Sequence, residues 1–333
     1  MDLSIVIPVF NEADSLPHLQ PAIHAALTPL PGLTWEVIFV DDGSKDGSAD
    51  ILENMAAEDP EHTRVVWLRR NFGQTAAIAA GIDHAQGNVI TMLDADLQND
   101  PADIPMLLEK INEGYDVVSG WRIQRQDTFL TRKLPSRIAN WLISTVTGVH
   151  LHDYGCTLKA YRREVITGFH LYGEMHRFIP AYAYSVGARI TEVPVHHHAR
   201  KYGKTKYGLT RTLKVVLDLL TVKFLISYSN KPIYLFGGAG MILILSSFLL
   251  LLFLAIRKFT VHIDILSSPL FQIGVMFMIM GFQSILMGLI AELLVRTYHE
   301  SQAKPTYTIR KVFMGAGSPV SPPQPAIQQS IRL

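Results

Sequence analysis

Short apolar runs alternate with stretches of helical periodicity along the N-terminal third of the chain. The runs are Leu3–Ile7, stopped by Pro8, then Glu36–Val40, Val65–Leu68, Val89–Leu93 and Asp116–Gly120. Between them Asp14–Leu27, Asp46–Ala57 and Thr75–His84 read as helices. Asp100-Pro101 opens another, with Asp100 as N-cap and Pro101 at the first helical position. Strands alternating with helices predict an α/β domain, a mostly parallel sheet covered on both faces. Ligands of such sheets bind beyond the carboxyl ends of the strands.

The pattern changes in the last third. Ile233–Ile256 and Leu270–Ala291 contain no charged residue. Each exceeds the roughly 20 residues needed to cross a hydrocarbon layer of ~30 Å. They predict a C-terminal hairpin of two transmembrane helices, about 233–256 and 270–294. Ahead of it, Leu213, Val216, Leu217, Leu220, Phe224 and Leu225 share one helical face, with Lys214, Asp218 and Lys223 elsewhere. That pattern suits an amphipathic helix in the membrane interface, over 211–231. Ile138–Val146 has the same character and fits either the interface or a core. The expected organisation is thus a domain over 1–210, the interfacial helix, the two spans within 232–295, and a tail over 296–333. From Gly315 the tail is rich in Pro, Gln, Ser and Gly, a composition expected to be disordered.

Charge orients the hairpin. Lys214, Lys223 and Lys231 precede the first span, and Arg296, Lys304, Arg310 and Lys311 follow the second. The connection holds Arg257 and Lys258, offset in part by Asp264. The positive-inside rule then places both ends in the cytoplasm. Met1 leads directly into a strand, so no signal peptide is expected. A formal net charge of +1 gives no argument for nucleic acid as a partner. The lone cysteine, Cys156, excludes an internal disulfide and fits a reducing compartment.

Candidate chemistry gathers at the predicted carboxyl edge. Asn11-Glu12, Asp41-Asp42 and Asp94-Ala95-Asp96 each follow an apolar run. Carboxylates spaced i, i+2 can offer oxygen ligands to one hard cation, and Mg²⁺ is often held by one or two carboxylates plus substrate phosphates. Asp-Gly-Ser after Asp41 also reads as a simple turn. Arg200–Arg211 carries five cations and no acid, which suits either a phosphate ligand or anionic lipid. His196-His197-His198 resembles a metal cluster, but successive strand residues point to opposite faces and cannot converge on one ion.

Ile5–Glu12, Val40–Ser44 and Leu93–Gln98, followed by Ser119-Gly120-Trp121-Arg122, Asp153–Cys156 with Tyr161-Arg162-Arg163, and Arg200–Lys206, together resemble the family 2 glycosyltransferases of GT-A fold. The nearer likeness is to the polyprenyl-phosphate glycosyltransferases, the group of dolichol-phosphate mannose synthase and the undecaprenyl-phosphate glucosyl- and aminoarabinosyl-transferases. It runs in order through roughly the first two-thirds of the chain.

The resemblance implies a membrane-anchored inverting enzyme. A nucleotide-sugar donor, UDP-linked by preference, would give its sugar to a polyprenyl phosphate such as undecaprenyl phosphate, on the cytoplasmic face of the inner membrane. It implies that Pro8, Phe10, Glu12, Val40, Asp41, Asp42, Asp94 and Ala95 line the donor site. Asp94, Asp96 and Gln98 would hold Mg²⁺ or Mn²⁺. Arg122 would meet the donor diphosphate, and Arg200 and Lys206 would meet phosphate. Asp153 would be a general base or a positioning group; positioning fits better, because a lipid monophosphate with a second pKa near ~6 is already ionised at pH 7. A homo-oligomer is compatible with this reading. A processive polysaccharide synthase is the competing one, yet no Gln-x-x-Arg-Trp occurs, and two spans are few for a polymer channel. A non-catalytic sugar-nucleotide binder conflicts with the intact Asp94, Asp96, Gln98 and Arg122. A dinucleotide oxidoreductase lacks Gly-x-Gly-x-x-Gly after the first strand.

Overall fold

The computed structural model describes residues 1–123, 140, 143–167, 175–199, 233–261, 268–301 and 307–313. The stretch 211–231 lies outside them, as does most of 138–142. The described chain falls into two units, one built from the N-terminal region together with the segment after the last helix, the other from the two long apolar helices.

The first unit is an eight-stranded sheet of order β7-β5-β6-β4-β1-β2-β3-β8. Its centre is parallel: β1 (Leu3–Val9) lies between β2 (Trp35–Asp41) and β4 (Val89–Met92), and β2 pairs with β3 (Thr63–Leu68). Helices α1 (Leu16–Leu27), α2 (Ser48–Glu58) and α3 (Gln74–His84) cross between these strands, and α4 (Ile104–Asn112) follows β4. Helical cover on both faces explains why β1 and β2 are apolar runs rather than alternations. Ile5, Ile7, Ile38 and Phe39 are fully buried. The buried Glu36 accepts at Oε1 from the Ser4 hydroxyl at 2.6 Å and the Gln86 amide at 2.7 Å, with Arg64 Nε 3.8 Å from its Oε2.

Beyond β4 the sheet is mixed. Strand β5 (Val117–Trp121) does not pair with β4. Instead β6 (Lys159–Arg162) inserts between them, antiparallel to both, and β7 (Ile190–Pro194) adds parallel to β5. The short helices α5 (Arg163–Ile166) and α6 (Ile179–Ser185) separate β6 from β7. The insertion carries the loop before β6 to the carboxyl end of β4.

At the far edge lies β8 (Ile309–Phe313), antiparallel to β3. It belongs to the segment that the sequence reading treated only as a tail. Tyr307 anchors its start by donating to Asp83 at 2.7 Å, and Lys311 pairs with Glu53 at 2.6 Å.

The second unit is α7 (Ile233–Val261) packed on α8 (Pro269–Ser301). Phe236–Lys258 and Pro269–Ala291 are each long and apolar enough to cross a membrane, and only 17 % of each is buried. Such exposure is wrong for core helices in water and right for helices facing lipid. Small residues let the backbones touch. A Cβ on Gly240 would stand 2.6 Å from the Gly281 carbonyl, and one on Gly281 2.7 Å from that of Gly240. Ser247 donates to the Gly274 carbonyl at 2.6 Å and Ser284 to that of Phe236 at 2.8 Å. Close approach and polar bridges are the usual adhesive between helices in lipid.

Gly240→Leu or Gly281→Leu is therefore expected to part the hairpin and lower the unfolding temperature in detergent. Gly238→Leu is the control, because a Cβ there meets nothing within 4 Å. Equal melting of all three variants would refute the close crossing.

Candidate active site

Parallel strands deliver their carboxyl ends to one edge, and four loops are laced together there. After β1, the Asn11 amide donates to Ser44 Oγ at 2.9 Å, and Asn11 Oδ1 accepts from the Lys45 amide at 2.8 Å. Asn11 holds φ of 54°, a left-handed conformation unusual for a non-glycine residue. The Glu12 amide donates to Ser48 Oγ at 2.9 Å, so the first loop is fixed on the second. Gly43, with φ of 72°, sits so close to Arg70 and Asn71 that a Cβ would fall 2.7 Å from the Arg70 carbonyl carbon.

Asp41 and Asp42 end β2 and are almost wholly buried. Asp41 accepts from the Ser44 amide at 3.1 Å; burial pushes its carboxyl up, opposed by the Ser44 bonds. Asp42 accepts the Phe72 and Gly73 amides at 2.7 and 2.9 Å. Burial lifts it to about 6 against the pull of those amides. Both of its oxygens serve the loop ahead of α3. Pro8 and Phe10 are half-buried at the same edge. Val40 is fully buried and packs towards α3, and Ala95 belongs to the hydrophobic core. Their side chains face inward.

Asp94 and Asp96 follow β4. Leu97 adopts φ of 58°, turning the chain so that the Gln98 amide donates back to Asp96 Oδ1 at 3.1 Å. Backbone strain of this kind is typical of sites that place a side chain for chemistry. Asp94 accepts from Gln74 Nε2 at 3.0 Å. It keeps some surface in water, yet its carboxyl is pushed up to about 6, first by burial and then by the charge of Asp96. Thr157, Arg122 and Lys159 pull the other way. Two crowded carboxylates and a side-chain amide make an oxygen donor set suited to Mg²⁺ or Mn²⁺. Among the described residues no group of three His, Cys, Asp or Glu could hold a metal, so other oxygens would have to complete such a shell.

Opposite this pair stands the loop before β6. Arg122, just beyond β5, grips Asp153 with Nε to Oδ2 at 2.6 Å and Nη2 to Oδ1 at 3.0 Å. Burial works against the arginine's charge, but Asp153 more than restores it and holds the guanidinium's pKa above its ordinary value. Asp153 Oδ1 also accepts the Gly155 amide at 3.1 Å. Lys159, 3 % exposed, donates to the Tyr154 carbonyl at 3.2 Å and to the Cys156 carbonyl. Burial draws its pKa down. Cys156 is buried, and burial raises its thiol to about 11, so the cysteine is packing rather than nucleophile.

The histidine run braces the loop after Asp96. His196 donates its amide to Asp103 at 2.7 Å and meets the same carboxylate through Nδ1 at 2.7 Å. The His198 amide reaches the Gln98 carbonyl at 2.8 Å, and its Nε2 lies 3.1 Å from Asp100. His197 instead bridges to Asn99. Sequence reasoning missed this brace, as well as Gln74 and Lys159. Lys159 lies between two motifs, Asp153–Cys156 and Tyr161–Arg163, and in neither; Gln74 carried no local signal. Arg200 and Lys206 lie outside the described residues.

Buried carboxylates thus gather at the carboxyl edge of a mostly parallel sheet in a GT-A-like domain, with the Arg122–Asp153 pair beside them. Residues 4–169 match Glycosyl transferase family 2. The chain is 44 % identical over 316 residues to the dodecaprenyl-phosphate galacturonate synthase of Rhizobium johnstonii, covering 94 % of this chain and 93 % of that one. It is 39 % identical over 318 residues to the undecaprenyl-phosphate 4-deoxy-4-formamido-L-arabinose transferase of Salmonella dublin, covering 95 % of each. Among solved structures, glucosyl-3-phosphoglycerate synthase of Mycobacterium tuberculosis with Mn²⁺ and UDP-glucose aligns with a TM-score of 0.52 at 20 % identity, over 69 % of this chain and 81 % of that one. Mannosyl-3-phosphoglycerate synthase of Rubrobacter xylanophilus gives 0.53 at 18 %, over 67 % and 74 %. These two share the fold. The chain belongs to glycosyl transferase family 2.

Removing one member of a buried ion pair strands the other. Asp153→Ala is expected to cost about 3–5 kcal/mol of stability through the abandoned Arg122. Asp153→Asn, which still accepts one hydrogen bond, should fall between it and the wild type. Thermal unfolding of the three proteins in detergent checks this, and an unshifted Asp153→Ala would show the pair to be structurally idle.

Proposed function

We propose that this protein transfers a sugar from a nucleotide-diphosphate donor, UDP-linked by preference, to a polyprenyl phosphate at the cytoplasmic face of the inner membrane. The observation that carries the reading is the joining, in one chain, of the Asp94–Asp96 site to an apolar helical hairpin. The likeness to two polyprenyl-phosphate sugar transferases over more than nine-tenths of each chain supports it.

The chemistry is a single displacement. An acceptor phosphate oxygen forms a bond to the anomeric carbon while the bond from that carbon to the donor diphosphate breaks, so the anomeric configuration inverts. The difficulty is charge, because attacking and leaving groups are both anions. In this reading Arg122, whose charge is felt at Asp94, meets the diphosphate, and Arg200 and Lys206 give further cationic contacts to phosphate. Asp94, Asp96 and Gln98 would hold Mg²⁺ or Mn²⁺, which when bound acts as a Lewis acid on the leaving diphosphate. Asp153 is committed to Arg122 through both oxygens. That bond favours a positioning role over that of a base, and an acceptor already ionised near pH 7 needs little deprotonation.

The purified protein, given undecaprenyl phosphate, Mn²⁺ and a panel of nucleotide sugars, should yield a glycolipid detectable by mass with an inverted anomeric centre by NMR. No product from any donor, or retention, would refute the reading. Excess EDTA should abolish transfer and Asp96→Asn should remove most of it; sustained turnover in EDTA would refute the metal site.

Charge flanking the hairpin supports cytoplasmic ends. In a Cys156→Ser background, Thr260→Cys should react in intact cells with a membrane-impermeant thiol reagent and Ser301→Cys should not. The reverse pattern would invert the topology.

A further inference from the structure

Strand β8 is not used by the chemistry above, yet, running antiparallel to β3, it begins at the same edge of the sheet. Its register runs Trp67 opposite Lys311 and Leu68 opposite Ile309, with a break between Trp67 and Leu68. Arg310 therefore occupies a bulge at the carboxyl end of β3, a place where bulges commonly re-aim a side chain. The ladder continues one bond further, from the Arg69 amide to the Thr308 carbonyl at 3.0 Å. In the sheet, Lys311 stands beside Trp67, and Trp67 beside Asp41. The charge of Arg310 is felt at the Asp41 carboxyl, where it opposes the effect of burial.

Three further cations surround that corner. Lys45 follows β2, and Arg69 and Arg70 follow β3; all three are exposed, as is Arg310. Among the described residues none of these four side chains forms an ion pair. The acids that could have neutralised them are engaged elsewhere. Glu53 takes Lys311, Asp46 takes the Ala13 amide and the Ser48 amide and hydroxyl, and Asp42 takes the Phe72 and Gly73 amides. Arg70 lies over the Phe72 ring at 4.5 Å, and its backbone is pressed on Gly43. The cations stand exposed while Asp41 and Asp42 are buried beneath them, and cations held on backbone at the mouth of a site raise the local concentration of an oppositely charged ligand.

We propose that β8 completes the donor end of the active site, with Arg310, Arg70, Arg69 and Lys45 forming a cationic rim that captures the nucleoside diphosphate. A segment made after the membrane helices thereby becomes part of nucleotide binding. The proposal rests on the donor reading given under Proposed function. It assigns the rim to the nucleotide rather than to a lipid phosphate, because the rim adjoins the loops after β1 and β2 and the buried Asp41 and Asp42.

The test is equilibrium binding of UDP, with Mn²⁺, to the full-length protein in detergent, without lipid acceptor. Arg310→Ala should weaken UDP binding about twofold to fivefold, the scale of one exposed charge. The double variant Arg70→Glu/Arg310→Glu should weaken it by at least about tenfold, because both charges reverse in a shared field. Both losses should shrink as salt is raised from low to high ionic strength. Lys311→Ala, on the same strand but turned to Glu53, should bind UDP as the wild type does. Thermal unfolding confirms that the variants fold, and Arg310→Gln replaces any that do not. Wild-type affinity in all Arg310 variants would overturn the proposal. So would unchanged UDP binding together with a raised KM for undecaprenyl phosphate, which would assign the rim to lipid. A wild-type protein that binds neither UDP nor GDP would instead remove the donor reading itself.

Discussion

Burying negative charge at one edge of a sheet is the constraint to which the rest of the domain answers. Asp41, Asp42, Asp96 and Asp153 are each less than a tenth exposed, and Asp94 is crowded against Asp96. An ionised carboxylate in such a place is tolerated only when hydrogen bonds or cations meet it. The loops supply them one by one. Ser44 serves Asp41, the amides before α3 serve Asp42, Gln74 serves Asp94, and the reversed turn at Leu97 brings an amide to Asp96. Asp153 receives the guanidinium of Arg122. Each loop is fixed because it has a charge to satisfy, so the satisfied edge is rigid before any ligand arrives.

That rigidity divides the labour of the site. Asp41, Asp42 and Asp153 spend their lone pairs on the protein and act as framework. Asp94 and Asp96 remain mutually repelling, and burial and repulsion together hold the Asp94 proton on to about pH 6. A cation between them would relieve both penalties at once, a physical reason for two acids to be kept side by side. His196 and His198 tie the loop after Asp96, through Asp103 and Asp100, to the segment after β7.

Much of this was legible in the sequence, and the remainder was hidden for identifiable reasons. The central strands announced themselves because they are buried on both faces and therefore uniformly apolar. Strands β6, β7 and β8 did not: Lys159–Arg162, Ile190–Pro194 and Ile309–Phe313 are short, and each carries charge. The two edge strands, β7 and β8, are short and charged in the way that discourages unwanted pairing, which erases their periodicity, whereas the internal β6, at four residues, is too short to show one. Asp94, Asp96 and Arg122 could be singled out because each follows a strand. Their partners could not, since Arg122 and Asp153 lie 31 residues apart and meet only through the insertion of β6. Position along a strand is written locally; which loop faces which is a property of strand order.

The order of synthesis gives β8 a further meaning. Strand β3 is complete by residue 68, whereas its outer partner begins at residue 309, after both apolar helices. Until the ribosome has passed the hairpin, the sheet has an open edge with unpaired amides and carbonyls on β3. Such an edge is a template for misassociation. The catalytic domain therefore cannot finish its sheet while its membrane anchor is still being made. Any chain that stops after α8 leaves the sheet domain with the unprotected edge of its own nascent state.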